Sequence, residues 1–154
     1  MQSSRTPFAI LAFAALIAGS AVAPSTLGAQ AAPAAAADSM AFPRQAVKWF
    51  QSSQADSLFA LAGEQLKSSM QSADNTREMM TRMSGRFGEH KSTDAEVQFD
   101  DQGTKVFIAV STYATAPEPV AMIVRYTPGK NVIEGFSITP LSRAKERFPT
   151  AKLP

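Results

Sequence analysis

Arg125 and Glu134 offer the most chemistry in this sequence. They flank Thr127-Pro128-Gly129-Lys130, where Pro and Gly at the central positions predict a type II turn. A hairpin centred on Pro128-Gly129 sets Arg125 opposite Val132 and Ile123 opposite Glu134. The two charges then become diagonal neighbours on one sheet face, roughly 5.5–8 Å apart at their β-carbons. Lining a cavity, Glu134 would act as a base and Arg125 would bind a polar substrate. Facing water, they would form a solvated ion pair contributing under about 1 kcal/mol. Ile123 and Val132 share that face without other polar partners, which favours the outer reading. Tyr113 and Tyr126 are the only two tyrosines. Either hydroxyl could donate to a developing enolate, as an isomerase requires. Otherwise each is an aromatic core position with its hydroxyl at the rim. His90, the one histidine, is a general-base candidate at a cavity mouth. The simpler reading leaves it in solvent beside helix carbonyls.

Composition narrows the field. There is no cysteine, so disulfides, thiolate metal sites, cysteine nucleophiles and a lipid-modified cysteine are excluded. A single histidine excludes a histidine-rich zinc site. No glycine-rich phosphate loop, EF-hand or zinc spacing occurs, so neither a cofactor nor a metal is expected. The formal net charge is only +2, and the basic residues are dispersed from Arg44 to Lys130, which argues against a nucleic-acid partner. Asp94, Asp100, Asp101 and Glu118 fall near turns and strand ends, where solubility explains them. Ser111, Thr112 and Ser137 carry no sign of an activated nucleophile. Hydrophobic residues make up 45% and charged residues 18%, the balance of a globular domain and not of a disordered acidic chain.

The first residues read as an export signal. Arg5 is followed by the uncharged apolar run Phe8 to Ala18 and then by small residues. Ala29-Gln30-Ala31 fits the small-x-small cleavage rule, and Ala21-Val22-Ala23 is blocked by Pro24. The expected organisation is a signal peptide over 1–31, an Ala/Pro-rich spacer over 32–40, a folded domain over 41–141 and a short, solvated basic tail over 142–154. The apolar run falls short of the roughly 20 residues a bilayer span needs, so no stable membrane anchor is expected after cleavage. The expected location is the periplasm or the cell exterior. The mature chain remains long enough to bury roughly 65% of its unfolded surface without staples.

The elements that must position these residues follow from periodicity. Phe42, Ala46, Trp49 and Phe50 share a helical face opening near Pro43. Asp56 is the expected N-cap of a short helix carrying Leu58, Leu61 and Ala62, bent or ended at Gly63. Asp74 is the expected cap of a third helix with Met79, Met80, Met83 and Phe87 as its stripe and Gly88 as its stop. From Ala95 the pattern alternates, predicting four strands with short connections and an antiparallel meander. Three helices before such a sheet make an α+β fold. The later strands are apolar on both faces, so one face covers the helices and the other is left for a pocket or a homodimer.

This order resembles the nuclear-transport-factor-2-like superfamily, the cystatin-like cone fold, and within it a secreted bacterial branch of unknown function. The resemblance covers residues 41–141. It rests on AVKWF (Ala46 to Phe50), DSLFALAGEQLKSSM (Asp56 to Met70), TREMMTRMSGRFG ending in Gly88, and the closing VIEGFSITP (Val132 to Pro140). It implies helices packed on a curved four-stranded sheet around a cavity. In such a cone the expected pocket residues are Trp49, Phe50, Met83, Phe87, Tyr113, Met122, Tyr126 and Phe136, with methionines supplying adaptable apolar walls. The expected function is a non-catalytic exported domain that binds a small apolar ligand or an envelope protein. The alternative is an isomerase, dehydratase or hydrolase using Glu134, Arg125, His90, Tyr113 and Tyr126.

Overall fold

The computed structural model describes residues 38–154; the expected leader over 1–31 and the spacer up to residue 37 lie outside the described residues. Helix α1 (Ala41–Gln51) opens on Met40 without a side-chain cap and buries Pro43, Ala46, Val47 and Phe50. That stripe has the i, i+3, i+4, i+7 spacing of one helix face. Val47 takes the place expected for Trp49. At about 100° per residue, Phe42 and Trp49 both fall roughly 100° from the stripe's centre, and both are only half-buried.

Helix α2 (Ala55–Ala60) begins one residue before Asp56, which is therefore not its cap. Asp56 sits in the first turn, where a carboxylate opposes the helix dipole, and Arg77 Nη2 donates to it at 2.9 Å. Helix α2 ends at Ala60 with Leu61 as its C-cap, before Gly63 is reached, and Gly63 is instead the N-cap of a further helix, α3 (Glu64–Met70). Helix α4 (Ala73–Phe87) is capped by the Ser72 side chain, which accepts from the Asn75 N–H at 3.1 Å, and not by Asp74. Four helices thus precede the sheet, where three are expected. Within α4, Thr76, Met80 and Phe87 are buried, while Met79 and Met83 are half-buried. Gly88 closes it with φ of +75°, a conformation that favours glycine.

The sheet is a four-stranded meander in the order β1 (His90–Asp101), β2 (Thr104–Tyr113), β3 (Val120–Thr127), β4 (Val132–Pro140), with every neighbouring pair antiparallel. The α+β class and the strand order are as expected, although β1 starts at His90 and not at Ala95. The β3–β4 register is not. The Pro128-Gly129 turn forms, with Lys130 N–H donating to the Thr127 carbonyl at 3.3 Å. Lys130 and Asn131, the latter at φ of +50°, then both stay out of the ladder before β4, so Thr127 pairs with Val132. Glu134 forms a bulge between the Tyr126–Ile133 and Arg125–Gly135 pairs. Arg125 therefore lies opposite Gly135, three residues further along β4 than a two-residue turn would set it.

One sheet face carries Phe107, Ala109, Met122, Val124 and Tyr126 against the helices, packed on Ala46, Val47, Phe50, Leu58 and Met80. The other carries Val106, Ile108, Val110, Ala121 and Ile123. Over β2 and β3 this second face is covered by the chain's own residues. Residues 142–154 are basic, but they are not a solvated tail. A fifth helix, α5 (Leu141–Arg147), and Phe148 lie on the sheet, with Ala144 fully buried and Phe148 edge-on to Phe99 at 5.5 Å between centroids. Glu118 fixes the turn into α5 by accepting from both the Ser142 N–H and its hydroxyl, each at 3.1 Å. Two apolar faces need two covers, and the chain supplies the second from its own end. Among the described residues, no helix is long and apolar enough to cross a membrane.

Candidate functional site

The end of α1, the last turns of α4 and the start of the sheet meet around a cleft of about 450 Å³. It is lined by Phe50, Gln51, Met83, Ser84, Phe87, Gly88, Glu89, His90 and Tyr113. Each wall follows from local structure. Phe50 closes the buried stripe of α1, and Gln51, half-buried at the helix end, lies at the edge of that stripe one helical turn past Val47. Met83 and Phe87 are one turn apart on α4 and face the same way. Gly88 turns the chain so that His90 enters β1, directly opposite Tyr113 on β2. The His90 and Tyr113 rings meet edge-on at 5.4 Å between centroids, and Phe87 and Tyr113 meet at 5.9 Å.

The polar groups at this cleft have unequal partners. The Tyr113 hydroxyl is buried, not at a rim, and its acceptor is Met122 Sδ at 3.8 Å, a weak one. Burial pushes its pKa above the ordinary phenol value, and the Gln51 amide beside it pulls partly the other way by favouring the phenolate. Gln51 Nε2 nevertheless has no hydrogen-bond partner of good geometry, the only such buried side-chain nitrogen or oxygen among the described residues. His90 Nε2 lies 3.2 Å from Thr93 Oγ1, which lies 3.3 Å from the fully buried Ser111 hydroxyl. His90 is thus held by a ring and a hydroxyl chain and does not sit free beside helix carbonyls. Hydrogen bonds from Ser92 and Thr112 hold the nearby Asp94 carboxyl below the ordinary aspartate range. Glu89 is likewise held down by the Lys91 ammonium at 2.6 Å.

The remaining expected residues lie elsewhere. Met122 is fully buried behind the Tyr113 hydroxyl. Trp49 packs on the edge of the helical core. Tyr126 lies at the far end of the sheet, its hydroxyl 2.9 Å from Gln98 Oε1 and 3.0 Å from the Ser39 carbonyl, so its single proton already has two acceptors. Phe136 stacks on Phe50 at 5.4 Å and lines a second cleft of about 380 Å³ under α3 and α4, with Leu66, Met70 and Met79. Arg125 and Glu134 line a groove beside α3 but do not pair. The Arg125 guanidinium binds Asp101, and Glu134 Oε1 accepts from Thr127 Oγ1 at 3.2 Å. The altered register accounts for this separation. Gln51 and Thr93 are the site residues that the sequence reading overlooks, and Ser111, read there only as an unactivated hydroxyl, joins them. Among the described residues, no group of three or more His, Asp or Glu side chains is placed to hold a metal ion.

The two buried phenols give a pH dependence with a definite sign. Burial raises the pKa of Tyr126 as well as that of Tyr113. A phenol held neutral in the fold stabilises it fully below the unfolded pKa of about 10. That contribution is lost as pH rises further, because the unfolded chain releases its protons first. Circular-dichroism melts are expected to show a Tm that falls above about pH 10, and less steeply in Tyr113→Phe. An equally steep fall in the variant would contradict this placement of the hydroxyl.

Compared with protein-family models, curated proteins and solved structures, the chain matches none of them.

Proposed function

We propose that this is an exported, non-catalytic domain of the cone-fold type that binds a small, mainly apolar ligand in the cleft between Phe50, Met83, Phe87, His90 and Tyr113. The convergence of these five side chains on about 450 Å³ carries the reading. That volume suits a small organic molecule, and its apolar walls are aromatic and thioether groups, with Gln51, Ser84, Glu89 and His90 as the polar part of the lining. The order of charge, apolar run and small residues in the leader supports export, to the periplasm or beyond it. The helix-then-meander order supports the superfamily reading. The enzymatic alternative requires its titratable groups gathered at one place: His90 and Tyr113 share the cleft, but Arg125 and Glu134 line the groove beside α3 and Tyr126 lies at the far end of the sheet.

A fluorescence titration with the neutral dye N-phenyl-1-naphthylamine tests the reading. One saturable site is expected, and Met83→Trp, which fills the cleft from its half-buried wall, should weaken it at least tenfold while leaving the Tm within a few degrees. Absence of saturable binding, or binding unchanged in Met83→Trp, would overturn it.

A further inference from the structure

We infer that the cleft recognises a neutral aromatic compound through a carbonyl oxygen seated between the Gln51 amide and the Tyr113 hydroxyl. The inference rests on the cleft being a ligand site, as proposed above. Gln51 Nε2 is buried and makes no hydrogen bond of good geometry, although the Tyr113 hydroxyl lies beside it, and a buried donor left unmade is costly. Tyr113, beside it, has only a thioether at 3.8 Å as acceptor. Both residues line the cleft, their polar groups lie beside each other, and a carbonyl oxygen has two lone pairs to offer them. Phe50, Phe87 and His90 complete a largely aromatic surround, which suits a flat ring by offset or edge-on contact. Charge sets the remaining condition. The lining residues include no lysine or arginine and do include Glu89, so a carboxylate ligand would meet repulsion without a counter-charge, and a neutral carbonyl would not.

Acetophenone and α-methylstyrene form the test pair, because they differ in a carbonyl oxygen against a methylene of similar shape. Their affinities are measured by NMR titration of the wild-type protein and of Gln51→Met, with Gln51→Leu as a second apolar replacement. The ratio of acetophenone to α-methylstyrene affinity is expected to fall at least about fivefold in both variants, while α-methylstyrene still binds. In the wild type, the Gln51 side-chain amide protons should shift with acetophenone and not with α-methylstyrene. A ratio unchanged within about twofold, or amide protons indifferent to the carbonyl, would overturn the inference while leaving the cleft as a ligand site. Failure of both compounds to bind the wild type would overturn the ligand-site reading itself.

Discussion

Phe148→Ala is expected to destabilise the fold by about 3 kcal/mol and lower the Tm by about 10 °C. The ring is 8% exposed, packs edge-on against Phe99 and closes the second apolar face. Deleting residues 142–154 goes further. It uncovers Val106, Ile108, Val110, Ala121 and Ile123, none more than 1% exposed in the intact chain. A bare apolar sheet face is a site of association, so the shortened chain is expected to elute as a dimer or larger species. Thermal melts and light scattering check both outcomes. A Phe148→Ala melt within 2 °C of wild type, or a shortened chain that stays monomeric with an unchanged melt, would contradict the placement of α5.

Phe50→Ala is the second large effect. Phe50 is 4% exposed, stacks on Phe136 and forms a wall of the ligand cleft. Truncating it removes core packing and the shared aromatic contact, at a cost of about 3–4 kcal/mol. It also joins the space on its two sides, so dye affinity should fall together with stability. Phe50→Leu, which restores much of the volume, should recover most of the melt but not the stack. Denaturant titrations separate the two terms. A loss below about 1 kcal/mol in Phe50→Ala would mean that the ring is not a core element.

The particular elements explain what the sequence discloses. The meander is legible because Ala95 to Phe99 alternate apolar and polar, and because Val106 to Val110 is a short continuous apolar run of strand length. Helix α4 is legible because Met80, Met83 and Phe87 recur at helical spacing before Gly88, although buried Thr76 extends that face unannounced. Helices α3 and α5 are seven residues each. So short a segment shows barely two turns of periodicity, and charged residues surround Ala144. The β3–β4 turn is readable at Pro128-Gly129, but the further loop residues Lys130 and Asn131 and the bulge at Glu134 leave no mark in a hydrophobic pattern. Those three residues set the register in which Arg125 lies opposite Gly135 and binds Asp101, not Glu134. At the cleft, Phe50, Met83, Phe87 and Tyr113 are readable as apolar positions on known faces. Gln51 was available to the same argument, one turn after Val47, but a polar residue at a helix end ordinarily faces water.

The most direct test of the ligand cleft is a map of amide and methyl NMR shifts on adding N-phenyl-1-naphthylamine to the wild-type protein. Shifts concentrated at Phe50, Gln51, Met83, Phe87, His90 and Tyr113 are the predicted result. Shifts centred instead on Leu66, Met79 and Phe136, or spread along the groove of Arg125 and Glu134, would contradict it.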